Sequence, residues 1–214
     1  MIVEQREIGD GRMLYEYLKA NYKSNEPIFV SDVDLPVSDT NLRRMFKDLC
    51  DSGKVVRFDK GIYYIPKQSR LKGGVPLGTD TVVRAKYIIR KGKIEGYYSG
   101  YTFANQLGIT TQVPYVTEVV SNNASSRFRE LDLKGRRVVL RKPRITITEE
   151  NFRVLQLLDL LSNVTQYADE DIEDVARRVK DYMKKEGIDR ENVDKYVGEY
   201  PDRIYKNMYE MRIF

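Results

Sequence analysis

The sequence contains no histidine. This removes the usual general base at neutral pH and the commonest metal ligand. A single cysteine, Cys50, has no partner for an intramolecular disulfide, and one thiolate without imidazole offers too few ligands for zinc. No apolar run approaches the ~18 residues that a membrane-spanning helix needs. The opening stretch, Met1-Ile-Val-Glu-Gln-Arg-Glu7, is acidic where a secretory signal would be apolar. These absences predict a cytoplasmic, non-catalytic protein without metal, cofactor or membrane partner.

What is present is ordinary in amount and uneven in distribution. The 214 residues, 32% charged and 41% hydrophobic, leave room for one large or two small globular domains. Residues 1–66 carry 10 Lys/Arg against 11 Asp/Glu, residues 67–147 carry 16 against 5, and residues 148–214 carry 11 against 16. The nets are −1, +11 and −5. A middle third that basic repels itself unless a polyanion or the acidic C-terminal third offsets it.

Punctuation divides the chain. Met13, Leu14, Tyr17, Leu18 and Tyr22 fall at helical spacing. Ile28 to Leu35, between Pro27 and Pro36, allows a short second helix. A third begins at Ser38 or Asp39, either able to cap it, with Leu42, Met45, Phe46 and Leu49 as its apolar stripe and Ser52-Gly53 as its stop. Val55 to Phe58 and Ile62 to Ile65 then read as a hairpin turned by Asp59-Lys60-Gly61. Three helices and a hairpin in this order predict a winged helix-turn-helix over residues 8–66.

Residues 67–80 lack periodicity and read as a linker. Residues 81–214 predict a mixed α+β domain. A helix over 81–91 points Val82, Ala85, Ile88 and Ile89 inward. Strands follow at Tyr97-Tyr98, Tyr115 to Val120, Phe128 to Leu133 and Arg137 to Leu140, interrupted by a short helix at Thr102 to Leu107. From about residue 148 the tail is helical. Thr148-Glu-Glu-Asn151 can cap Phe152 to Leu161, a helix apolar nearly all round. Ile172, Val175, Ala176, Val179 and Met183 form a second stripe, and Ile204, Met208 and Met211 a third. The fold class is therefore α+β.

Candidate binding residues lie off the stripe of the third helix. Arginine suits guanine and asparagine suits adenine when a helix enters the major groove, which singles out Thr40, Asn41, Arg43 and Arg44. Lys47, Lys54, Arg57 and Lys60 are placed for phosphates. The alternative reading of the same helix is a solvated amphipathic helix inside a winged-helix protein-interaction module. In the second domain Arg84 and Lys91 lie seven apart, and Lys86, Arg90 and Lys93 share a helical face by i, i+4, i+7 spacing. Tyr97, Tyr98, Tyr101 and Phe103 can stack bases or fill a core. Asp132-Leu-Lys134, with Glu118 upstream, is the sole carboxylate–lysine spacing suited to a metal-dependent nuclease. Ser99, Ser125 and Ser126 have no base partner, and Cys50 reads as structural.

Gly61-Ile-Tyr-Tyr-Ile-Pro66, then Leu77-Gly78, then Thr102-Phe-Ala-Asn-Gln-Leu-Gly-Ile-Thr-Thr-Gln-Val-Pro114 resembles the AbiEi-like antitoxins of type IV toxin–antitoxin systems, over roughly residues 10–160. The resemblance implies a bacterial antitoxin that represses its own promoter by binding double-stranded DNA through the winged helix. It implies a second domain that counters a nucleotidyltransferase-like toxin without a stable complex. It carries over no catalytic residues and does not reach the helical tail after about residue 165. Two rival readings are a winged-helix protein adaptor and a nucleic-acid-processing enzyme using the basic middle domain.

Overall fold

Leu14 and Leu18 sit one helical turn apart, both without exposure, on helix α1 (Ile2–Asn21). The computed structural model describes residues 2–67, 75–169 and 171–214, with side chains from Gly11 onward. It is a mixed α+β structure of two compact units, residues 1–82 and 83–214. Met13, expected on the α1 stripe, is 39% exposed, because one residue of helix turns the side chain about 100° away from Leu14.

The short helix expected over 28–35 does not form. Ile28 and Phe29 make strand β1, paired antiparallel with Tyr63 and Ile62, and Val30–Asp32 make a single 3-10 turn. Pro27 and Pro36 bracket too few residues for an α-helix to repay its nucleation, while strand pairing buries Ile28 completely. Helix α2 (Asp39–Asp51) follows, its N-cap Ser38 accepting the Asn41 amide at 3.3 Å. Leu42, Met45, Phe46 and Leu49 are its buried side. Gly53, at φ +70°, ends it, and the Gly53 and Lys54 amides turn back to the carbonyls of Cys50 and Leu49.

Strands β2 (Val56–Asp59) and β3 (Ile62–Tyr64) complete a three-stranded sheet of order β1-β3-β2. Alternation along β3 places Tyr63 toward α2, where it stacks on Phe46 with ring centroids 4.5 Å apart. Ile62 and Tyr64 enter a second cluster with Phe58, Leu77 and Val82, so both faces of the small sheet are covered. The linker expected over 67–80 lies partly, at 68–74, outside the described residues. Its far end is tied down: Asn25, at φ +60°, donates to the Val75 carbonyl at 3.0 Å and accepts the Lys67 amide at 3.1 Å.

Helix α3 (Thr79–Val83) continues as a π-helical turn, Arg84–Ile88, and stops there rather than reaching Lys91. The wider turn inserts a residue into the repeat, so Val83, Tyr87 and Ile88 face the core while Ala85 and Ile89 are only half-buried. Ile89–Arg90 (β4) and Lys93–Ile94 (β5) form a hairpin turned by Lys91-Gly92. The main sheet has order β6-β7-β9-β8: β6 (Gly96–Tyr98), β7 (Val116–Ser121), β8 (Phe128–Leu133) and β9 (Arg136–Arg141). Only β7 and β9 are parallel, and β8 returns into β9 through Lys134-Gly135. On one side Val119, Val138 and Leu140 pack with Val83 and Tyr87; on the other Tyr97 and Val120 meet the helices.

Those helices are α4 (Gly100–Gln106), α5 (Phe152–Leu161), α6 (Val164–Tyr167), α7 (Ile172–Glu186), α8 (Arg190–Asp194) and α9 (Arg203–Glu210). Seven of the ten α5 residues are buried, which makes α5 the centre of the unit. Asn151 does not cap α5 with its side chain; it accepts from the Thr148 amide and donates to the Thr146 carbonyl, bracing the approach instead. Val175, Ala176, Val179 and Met183 of α7 are buried as their spacing predicts, joined by Tyr182, whereas Ile172 in the first turn is exposed. Ile204 and Met211 are buried and Met208 half-buried, so the tail is part of this core.

Candidate functional site

The eight predicted contact residues of the first unit fall on α2 and the hairpin that follows it. Burial of the Leu42/Met45/Phe46/Leu49 side forces Thr40, Arg43, Arg44 and Lys47 to the solvent side, with Asn41 half-buried at the border. Arg44 Nη2 donates to Asn41 Oδ1 at 2.9 Å. Among the described residues Arg43 and Lys47 hold no ion pair. Lys54, Arg57 and Lys60 are exposed on the hairpin and its approach. The hairpin tip is fixed by the Asp59 carboxylate, which accepts the Lys60 amide at 2.7 Å, and Arg57 Nε donates to the Asp59 carbonyl at 3.4 Å. Lys54 Nζ lies 5.3 Å from the Tyr15 ring centroid. Cys50 is half-buried, and burial pushes its thiol up, away from thiolate chemistry.

The basic face predicted in the second unit is assembled differently from the expectation. The helix ends at Ile88, so Lys86, Arg90 and Lys93 share no helical face. Arg90 and Lys93 are instead cross-strand partners in the β4–β5 hairpin, with Lys91 in its turn at φ +48°. Arg84 is exposed on the π-helical turn, and Lys86 Nζ lies 5.4 Å from the Tyr87 ring centroid. Tyr97 and Phe103 are buried, which favours the core reading of the aromatic run. Asp132, near the end of β8, accepts the Gly135 amide at 2.9 Å and braces the turn that follows.

Sequence reasoning missed a polar network in this unit. Asp159, in the apolar helix α5, accepts from Tyr97 Oη at 3.1 Å and Ser99 Oγ at 3.4 Å. Arg141 Nη2 donates to Ser99 Oγ at 2.8 Å and lies 3.8 Å from Glu118 Oε2. Burial holds the Asp159 carboxyl above its ordinary range, opposed by Arg141, the Tyr97 hydrogen bond and Arg144. Glu118 in turn accepts the Tyr101 amide at 3.0 Å and so caps α4 from a neighbouring strand. Gly100 sits there at φ +56°, and a Cβ on it would collide with the Glu118 carboxylate. The signal available was a single carboxylate near the end of a mostly apolar helical run.

A second lock holds the Thr-Thr-Gln segment. Asp169 accepts from Thr110 Oγ1 at 2.7 Å, the Thr111 amide at 2.8 Å and Thr111 Oγ1 at 3.1 Å, which lower its pKa. Asn105 Nδ2 donates to the carbonyls of Thr110 and Gln112. Beyond this braced loop Val113 and Tyr115 stand 83% and 74% exposed.

Fold and site together define a two-unit α+β protein whose first unit presents a basic helix-and-hairpin face and whose second unit encloses an ionic network. Residues 15–190 match the model of DUF6088, a family of unknown function, and the chain belongs to that family. The match takes in α7, which lies beyond the stretch that carried the AbiEi-like resemblance. Among curated proteins none matches the chain. Among the described residues no helix is long and apolar enough to cross a membrane.

Proposed function

We propose that residues 8–66 are a winged helix-turn-helix that binds double-stranded DNA, and that the protein is a cytoplasmic transcriptional autoregulator and antitoxin of a type IV toxin–antitoxin system. The order α1, β1, 3-10 turn, α2, β2, β3 supports the winged-helix reading, with the second helix reduced to one turn. The observation that carries the DNA reading is α2, anchored by Phe46 and its neighbours and exposed on Arg43, Arg44 and Lys47. Residues 1–66 have a net charge of −1, so affinity rests on where the cations sit rather than on their number. The antitoxin role is supported by the resemblance at 61–66, 77–78 and 102–114. It is a binding role, without catalysis.

The test is binding to duplex DNA from the region upstream of the gene. Affinity should fall steeply with salt, and Lys47→Ala should flatten the log–log slope by about one unit. Salt-insensitive or undetectable binding would favour the protein-adaptor reading. For the antitoxin arm, an Arg43→Ala/Lys47→Ala variant should lose operator binding and still rescue growth when the neighbouring nucleotidyltransferase-like toxin is co-expressed. Pull-down should recover little toxin. A stable stoichiometric complex would make the second unit a sequestering partner.

A further inference from the structure

Helix α9 has an inner and an outer side. Ile204 and Met211 are buried and Asn207 Nδ2 donates to the Leu161 carbonyl at 2.7 Å, so Tyr205 and Tyr209, one turn apart, are forced outward. Tyr209 is 85% exposed and Tyr205 50%. Beyond the helix Arg212 takes φ +50°, and the Arg212 and Ile213 amides turn back to the carbonyls of Tyr209 and Met208. Exposed Phe214 thereby joins the two tyrosines at one cleft of about 200 Å³, which Arg190 and Asp194 of α8 also line. Helix α8 is fixed in its turn by the Asp189 cap and by Val193, which is fully buried. Three rings so exposed present on the order of 400 Å² of largely apolar surface, a size at which a patch serves an interaction.

The charges around the cleft balance. Arg190 pairs with Asp194 at 3.6 Å and Lys206 with Glu210 at 3.6 Å, each across one turn. A polyanion or a polycation is met by a rim of one sign, which this is not. A rim with two charges of each sign suits a surface that carries the same set turned around, and a second copy of this chain is such a surface. Shape points the same way, because the patch holds a projecting ring, Tyr209, and beside it a cleft with room for about one ring. Knob and hole on one face are the elements of a two-fold contact, in which each copy uses both. We infer that the α8–α9 surface pairs two copies of this chain about a two-fold axis, Tyr209 of each entering the cleft of the other. The inference is independent of the role of α2, because what it fixes is the mass of the protein in solution.

The experiment is sedimentation equilibrium of the intact protein over a range of concentrations. The wild type should pass from a 25.0 kDa monomer to a dimer in the micromolar range that a small interface gives. Tyr209→Ala should melt as the wild type does, since the position is exposed, and should weaken association at least about thirtyfold, as loss of a central aromatic anchor does. Tyr115→Ala removes a comparably exposed tyrosine elsewhere in the second unit and should leave the equilibrium unchanged. Asp194→Lys/Glu210→Lys makes the rim wholly positive, and Arg190→Glu/Lys206→Glu makes it wholly negative. Each charge variant alone, shown by its melt to be folded, should be monomeric where the wild type is dimeric. An equimolar mixture of the two should recover the dimer, because opposite rims then face each other. A wild type that stays monomeric overturns the inference, as does a folded Tyr209→Ala that associates undiminished. Equal weakening by Tyr115→Ala would make the association unspecific, and a mixture of charge variants that stays monomeric would show that the rims do not meet; either overturns it. Assembly that continues past the dimer overturns it too, since the contact is then head-to-tail.

Discussion

The two units differ in what they bury beside their apolar cores. In residues 11–67 the interior is apolar from Leu14 to Ile65, and the charged groups of α2 and the hairpin stay at the surface. Among the described residues the buried polar ones, Ser99, Thr102, Thr110, Thr117, Ser121, Asn151, Gln156, Ser162 and Asn207, all belong to residues 83–214. There they tie distant elements together: Gln156 donates to the Tyr98 carbonyl and accepts from Tyr182 Oη, and Asn207 donates to the Leu161 carbonyl. The first unit therefore keeps its charged side chains at the surface, whereas the second uses many of its polar groups to fix sheet against helix.

The contrast can be broken most sharply at Phe46. Its ring is fully buried and stacked on Tyr63, so Phe46→Ala should cost about 3–5 kcal/mol. Amide exchange should accelerate through α2 and β3, and an unchanged rate there would mean that α2 is rotated from its described orientation. In the second unit the sensitive point is a glycine. Gly100→Ala places a Cβ at positive φ against the Glu118 carboxylate, strains the backbone and displaces the cap of α4, for about 1–3 kcal/mol in a chemical denaturation curve. A loss below a few tenths would show that α4 does not depend on that carboxylate.

Arg43→Ala should separate surface from interior in the first unit. Its melt should stay within about 0.5 kcal/mol of wild type, while operator binding weakens by about 1–3 kcal/mol in a gel shift. Equal losses in both measurements would place Arg43 in the fold rather than at the DNA. The smallest effect is a slope. Because burial raises the Asp159 carboxyl above its unfolded value, the folded protein holds that proton longer than the unfolded chain. Its contribution is complete below the ordinary carboxylate pKa near ~4 and is lost as pH rises through the raised folded value. Asp159→Asn cannot ionise and should remove that decline from melts taken as pH rises from about 4. A variant that instead loses a gain in stability with rising pH would show that the pairing with Arg141 outweighs burial.

The elements most legible in the sequence were those whose cause is local. The α2 stripe, the Ser38 cap and the Gly53 stop lie within a few turns of one another, and so do the turns at Lys60-Gly61 and Lys134-Gly135. What was not legible depends on residues far apart. Ile28 and Phe29 became a strand because Ile62 and Tyr63 lay in register to pair with them. The helix from Thr79 lost its last turn to a π-helical widening, which periodicity alone does not announce. The Asp159 network joins residues 60 and 62 positions apart, so α5 could be read as a core helix but not as the carrier of its carboxylate. Asp169 escaped notice for the same reason, its hydroxyl partner Thr110 lying 59 residues upstream.

The order β6-β7-β9-β8 also has a kinetic meaning. Strand β9 is made last of the four and sits between β7 and β8, so β8 has no place in the sheet until β9 has arrived. The Lys134-Gly135 turn lets β8 and β9 close on each other as a local hairpin, an event of microseconds. The parallel joining of β9 to β7 spans a longer loop and carries the larger entropic cost. The sheet is therefore built by docking a preformed ribbon, and the closure of β9 onto β7, not the fast two-residue turn, sets the pace at which the second unit reaches its native topology.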